Sequence, residues 1–194
     1  MRKIVIWGAA ALVVAVLGVM SLVLVIWPLP VTMRPVAEFE TETVPIQMQA
    51  AVVASTGRQS GVFHLAASLL LSNVDSTSMS EWRLDHLVLE LRLRAIHNEE
   101  RVAAWVAWNA YFGAGLTGAD DAARWYFCKA LRELTVAESA ALAALTVAPS
   151  LYSSDFEGHL ARRNTIIERM QTNGDLAADV AKVALSSPLG RCDR

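Results

Sequence analysis

The chain has 194 residues, 54% of them hydrophobic, and a formal net charge of −2. With 17 Lys and Arg set against 19 Asp and Glu, no face is basic enough to neutralise a run of phosphates, which excludes nucleic acid as a partner. No His and Cys residues stand at metal-ligand spacing and no glycine-rich phosphate loop occurs, so neither a cofactor nor a metal is expected.

The apolar excess sits at one end. After Arg2 and Lys3 no charged residue occurs from Ile4 to Met33, and Ile4 to Trp27 is almost continuously Val, Leu, Ile and Ala. That run exceeds the roughly 20 residues a helix needs to cross a bilayer. It ends in "WPLP" rather than in a small-residue cleavage site, so a retained anchor is expected over 4–27. Arg2 and Lys3 would hold residues 1–3 in the cytoplasm, and the remainder would lie beyond the inner (plasma) membrane, in the periplasm. Trp7 and Trp27 suit the two interfaces, and Pro28 and Pro30 stop the helix.

Residues 28–44 hold Pro35 and the acidic "EFETET" without helical periodicity, and read as a linker that lifts the domain off the membrane. From 45 to 190 nearly everything reads as helix. Ile46 to Ala54 and Gly61 to Ser72 are short and apolar, the second with a single His. Ser78 with Glu81 has the form of a capping box, opening a helix through "EWRLDHLVLELRLRAIH". On it Leu84, Leu87, Val88, Leu91 and Ile96 recur at helical spacing, while Arg83, Asp85, Glu90, Arg92 and Arg94 mostly fall elsewhere. Asn98 can cap "EERVAAWVAWNAYF", and Thr117 is the candidate cap of "GADDAARWYF". Thr135 with Glu138, and Ser154 with Glu157, form two more candidate boxes, and Gly174 suits a helix C-terminus. A last helix is expected over Asp175 to Leu185. The fold class is all-α, with about six to eight helices around one core. Cys128 and Cys192 can form a bridge in an oxidising compartment, or can equally be a small buried residue and a tail thiol.

One stretch is more specific than helix patterning. Gly113 to Lys129 reads G-x-G-x-x-G-x-x-x-A-A-R-x-Y-F-x-K, followed by "ELTVAESAALAAL", "APSLY" and "ARRNTIIERMQTNGDL". In order and spacing this resembles the C-terminal half of the peptidoglycan glycosyltransferases of glycosyltransferase family 51, found in class A penicillin-binding proteins and monofunctional transglycosylases. "LAASLLLS" at Leu65 to Ser72 resembles that family's L-A-K-N-L-F-L-S, and "LELRLRAIHNEER" lies over its A-L-x-L-E-x-x-x-x-K-x-E helix. The resemblance covers roughly Pro45 to Leu189. It implies a lysozyme-like helical domain behind a single transmembrane helix, polymerising lipid II with release of undecaprenyl pyrophosphate. Such chemistry needs a base for the acceptor hydroxyl and cations for the leaving pyrophosphate. In the matching motif Gly113, Gly115, Gly118, Tyr126, Phe127 and Lys129 read as fold-building residues.

The rest of the family's pattern is eroded. The catalytic Glu belongs to an E-D-x-x-F-x-x-H-x-G motif after the helix "IQMQAAVVA", but Ala54 is followed here by "STGRQSGVFH". No acidic residue lies between Glu42 and Asp75. "GRQSGVFH" falls on G-G-S-T-I-T-Q-Q with only its first glycine kept, and "VAAWVAW" replaces I-L-E-x-Y-L-N, so its Glu is Ala104 and its Asn Trp108. "WRLDH" falls on R-K-x-x-E, leaving Arg83 as a candidate substrate-binding cation and His86 at the glutamate. The expectation is an inactive relative, a pseudoenzyme that binds lipid II or another envelope protein beside membrane lipid. An active enzyme would need Asp85, His86 or Glu90 as its base, and a purely structural envelope subunit is the third reading. Otherwise Asp85, Glu90, Arg83, Arg92 and Arg94 make a solvated salt-bridge face, and His64 is a satisfied core or groove residue.

Overall fold

Alanine sets the architecture, because its small side chain lets neighbouring helices approach closely. The computed structural model describes residues 18, 27–57, 61–75, 78–150, 154–190 and 192. The expected cytoplasmic tip and the anchor over 4–27 lie outside the described residues except for Gly18 and Trp27. Among the described residues no helix is long and apolar enough to cross a membrane.

In chain order the elements are α1 (Arg34–Ala37), a 3-10 turn (Thr41–Thr43), α2 (Ile46–Ser55), α3 (Gly61–Leu71), α4 (Met79–Ile96), α5 (Glu99–Asn109) and α6 (Ala119–Phe127). A second 3-10 turn (Leu131–Glu133), α7 (Val136–Leu145), α8 (Phe156–Asn173) and α9 (Ala178–Ser186) follow. No strand occurs among the described residues, only an isolated bridge between Tyr111 and Thr117. The chain is all-α, as its periodicity predicts.

Every residue of α7 from Ala137 to Leu145 is buried, the polar Glu138 and Ser139 included, so this helix runs through the core. It packs on α2 and α8, and α2 packs in turn on α5. Ala51 and Ala54 of α2, and Ala103, Ala104 and Ala107 of α5, are buried between larger residues such as Met48, Phe112, Ile166, Ile167 and Met170. The hairpin of α3 and α4 leans on α5 through α3. Phe63, Leu71, Leu89 and Leu93 are buried within it.

Several predicted caps are in place. Ser78 Oγ accepts from the Glu81 amide at 3.2 Å and Asn98 Oδ1 from the Arg101 amide at 3.1 Å. Thr135 and Glu138 form a reciprocal box, and Gly174 ends α8 at φ 88°. Two caps differ from expectation. α6 is entered through Gly118 at φ 93°, not through Thr117, since a β-branched residue resists that backbone. α8 is capped by Asp155, whose Oδ1 accepts from the Gly158 amide at 2.9 Å, rather than by Ser154; a carboxylate there also complements the positive helix end.

The stretch read as a spacer is packed along the domain. Val36 and Val44 are 0% and 1% exposed, and Phe39 packs against the core. Arg101 Nη1 donates to the carbonyls of Ala37 at 3.1 Å and Phe39 at 2.9 Å. Three apolar side chains in a polar segment give it something to bury, which the absence of periodicity concealed. At the other end Cys128 and Cys192 form a disulfide, Cα atoms 5.3 Å apart, and the Cys192 amide donates to the Tyr126 carbonyl at 3.0 Å.

Candidate functional site

Two pairs of residues, each one helical turn apart, face one another across the α3–α4 hairpin: His64 and Ser68 on α3, His86 and Glu90 on α4. The imidazole centroids of His64 and His86 are 4.3 Å apart, and the Trp82 ring lies 5.0 Å from His86. Ser68 Oγ donates to the His64 carbonyl at 3.0 Å, so it accepts from His86 Nε2 at 2.9 Å; the same nitrogen lies 3.2 Å from that carbonyl. Nε2 is therefore a protonated ring nitrogen. Burial, reinforced by His64, holds the His86 pKa below the ordinary histidine value.

His64 Nδ1 lies 3.2 Å from Glu90 Oε2, with the His64 side chain 65% exposed and that of Glu90 17%. The other carboxylate oxygen accepts from Arg94 Nη2 at 2.9 Å, and the Arg94 guanidinium sits 5.7 Å from the Phe63 ring centroid. Glu90 is thus gripped from both sides and mostly buried, unlike a residue of a solvated face. His64 is not a core residue; it stands open to solvent at the mouth of the cluster.

Asp85 is separate. Its Oδ1 accepts from Trp27 Nε1 at 2.8 Å, and Arg92 Nη2 donates to the Trp27 carbonyl at 2.7 Å. Both charges are thus committed to holding the chain where it enters the domain, beside a cleft of about 390 Å³ that Asp85 lines with Trp27 and Pro28. Arg83 is exposed on α4. Of the three candidate bases, then, His86 and Glu90 share a site and Asp85 does not. His64 and Ser68 complete that site. Their spacing of four on an apolar helix matches that of His86 and Glu90, but nothing in the sequence says that the two pairs meet.

The glycine motif builds backbone. Gly113, Gly115 and Gly118 have φ of 85°, 80° and 93°, and a Cβ on Gly113 would run into the Pro149 carbonyl. Tyr126 Oη donates to the Phe112 carbonyl at 2.9 Å, Phe127 is buried, and Lys129 Nζ reaches Glu138 Oε1 at 2.7 Å.

A larger cavity of about 910 Å³ opens where α2 ends, lined by Ala54, Gly57, Glu99 and Arg169 among others. Arg169 Nη1 donates to the Ala54 carbonyl at 3.1 Å and Arg162 Nη2 to that of Ser55 at 3.4 Å, so two cations of α8 close the helix end. Burial, then repulsion from Glu100, pushes the Glu99 carboxyl above its ordinary value.

These features can be set beside known proteins. The Transglycosylase family model matches residues 65–171. That is more than half of the chain, which therefore belongs to the peptidoglycan transglycosylases of glycosyltransferase family 51. Penicillin-binding protein 1A of Rickettsia typhi is 33% identical over 111 residues, 56% of this chain and 14% of that protein. Penicillin-binding protein 1F of Bacillus subtilis is 30% identical over 128 residues, 65% of this chain and 18% of its own length. The crystal structure of penicillin-binding protein 1A from Haemophilus influenzae overlays with a TM-score of 0.49 at 23% identity, over 79% of this chain and 18% of that one. The chain thus spans 14% to 18% of the length of these relatives.

Proposed function

We propose that this chain is a membrane-anchored, lysozyme-like member of the transglycosylase family that has lost the polymerising step and acts by binding. Its ligand is lipid II or, on the balance of its surface chemistry, another protein of the cell envelope. The observation that carries the reading is the end of α2. The family's catalytic Glu motif should follow that helix, yet only six residues separate Ala54 from Gly61 and none of the residues from Thr43 to Val74 is acidic. The carbonyls that end α2 are held by Arg162 and Arg169. The cavity beside Gly57 and the exposed Leu84 and Leu87 on α4 support a surface that takes a partner. The uncharged run from Ile4 to Met33 supports the anchor, and the Cys128–Cys192 bridge supports an oxidising compartment beyond it.

The test is a lipid II assay on the detergent-solubilised full-length chain, scoring binding and polymer separately. Polymer formation overturns the reading. Binding without polymer identifies a precursor-binding subunit, and neither identifies a scaffold whose partner should co-purify in stoichiometric amount. A second reading, an enzyme with a rearranged base, is favoured by one observation: Glu90 is mostly buried and lies 3.2 Å from His64. It requires polymer formation that Glu90→Gln abolishes.

A further inference from the structure

We propose that His64, His86 and Glu90 form a binding site for a divalent transition-metal ion, zinc foremost, with a coordination position open to solvent. One ligand atom from each of the three residues lies within 4.8 Å of the other two. Two ligands on a tetrahedral zinc, at bonds of about 2.0–2.1 Å, stand roughly 3.3 Å from each other. His64 Nδ1 and Glu90 Oε2, 3.2 Å apart, already have that separation. The third ligand atom, on His86, lies within 4.8 Å of both.

The support around the three ligands is that of a metal centre. His86 and Glu90 project from one helix at a spacing of four, the spacing by which helical motifs present a pair of ligands to zinc. Glu90 keeps Oε1 on Arg94 and so offers Oε2, while Ser68 and the His64 carbonyl fix the His86 ring. Outer contacts of this kind orient metal ligands, and losing one typically costs about 10- to 100-fold in affinity. Two imidazoles and one carboxylate suit zinc, copper or nickel and disfavour magnesium and calcium, which take oxygen ligands. Three protein ligands with the fourth position free is the arrangement of zinc that acts on something else rather than holding a fold together. The exposure of His64 provides the way in.

A direct test uses the full-length chain in detergent, purified without a histidine tag and stripped with a chelator. Zinc is titrated by calorimetry, and Co²⁺ by the visible band of a tetrahedral ion. The expected result is one ion per chain at micromolar affinity or tighter, with His64→Ala and Glu90→Gln each weakening it by about 100-fold or more, beyond the 10- to 100-fold cost of losing an outer contact. His97→Gln, outside the cluster, should leave it unchanged. His64 is exposed, so His64→Ala should melt like the parent chain without metal, and a change in affinity can then be read as loss of a ligand. Failure to bind zinc below about 100 µM overturns the site, as does an affinity that His64→Ala and Glu90→Gln leave untouched. No lipid enters this assay, so its outcome stands apart from that of the precursor assay.

Discussion

Outside the histidine cluster, Glu138 sits at the centre of a local network with Lys129 and Thr135. Burial alone would push its carboxyl up, but the hydrogen bond from Lys129, with those from the Thr135 amide and hydroxyl, outweighs burial and holds the pKa below its ordinary value. A carboxylate depressed in the folded state contributes stability that is present above its unfolded pKa and lost as pH falls through the folded one. Thermal stability should therefore decline as pH drops from about 5 toward 3, and Glu138→Gln should flatten that decline while lowering stability at pH 7 by about 1–3 kcal/mol. Parallel melts of the two proteins across that range check both effects. An equal acid slope in the variant would mean that other carboxylates carry it. The pairing was half visible in the sequence: Thr135 with Glu138 reads as a box, and Lys129 comes nine residues earlier, beyond the reach of any helical spacing rule.

At the scale of elements, what the sequence discloses follows the range of the interaction. Ser78, Asn98, Thr135 and Gly174 cap where their patterns say, because a cap is settled within four residues. Thr117 and Ser154 are displaced by one residue, to Gly118 and Asp155, where backbone angle and charge decide between neighbours. The burial of Val36 and Val44 against α5 could not be read, since a short apolar scatter has no period. Nor could the closure of α2, which depends on cations more than 100 residues away in sequence. That closure is testable as a unit. Replacing Arg162 and Arg169 together by Met keeps the apolar stems and removes the donors to the Ser55 and Ala54 carbonyls. A loss of about 1–2 kcal/mol is expected from a helix end left without cations in a partly buried setting. Denaturant unfolding measures it, and a variant as stable as its parent would show that water serves those carbonyls equally well.

For the molecule as a whole, the motif from Gly113 to Lys129 made the family legible, because its glycines and Tyr126 fix a loop that few sequences can build. The candidate site was less legible: His86 and Glu90 were visible as helical neighbours, whereas His64 joins them across 26 residues. The cysteines were the most ambiguous feature, two isolated thiols with no pattern, and the fold resolves them by bringing the C-terminal tail back to the end of α6. The bridge spans 64 residues and encloses α7, α8 and α9, so its constraint acts on the unfolded chain over a third of the sequence. In the chain-entropy account a loop of that length is worth about 4 kcal/mol. Cys128→Ala together with Cys192→Ala should lower stability by up to that amount, and reductant should lower the melting temperature of the parent chain but not that of the double variant. Cys128 sits at φ 55° and closes α6, a left-handed backbone that Cys and Ala strain alike, so the Ala substitution leaves that cost unchanged. Cys128→Gly with Cys192→Ala removes that strain as well as the bridge, so any loss it shows is a lower bound on what the bridge contributes. If that pair also melts well below the parent chain, the bridge itself carries the loss; if it melts with the parent, the covalent link is worth no more than the relieved backbone, about 1–2 kcal/mol, and contacts such as the Cys192 amide on the Tyr126 carbonyl hold the tail.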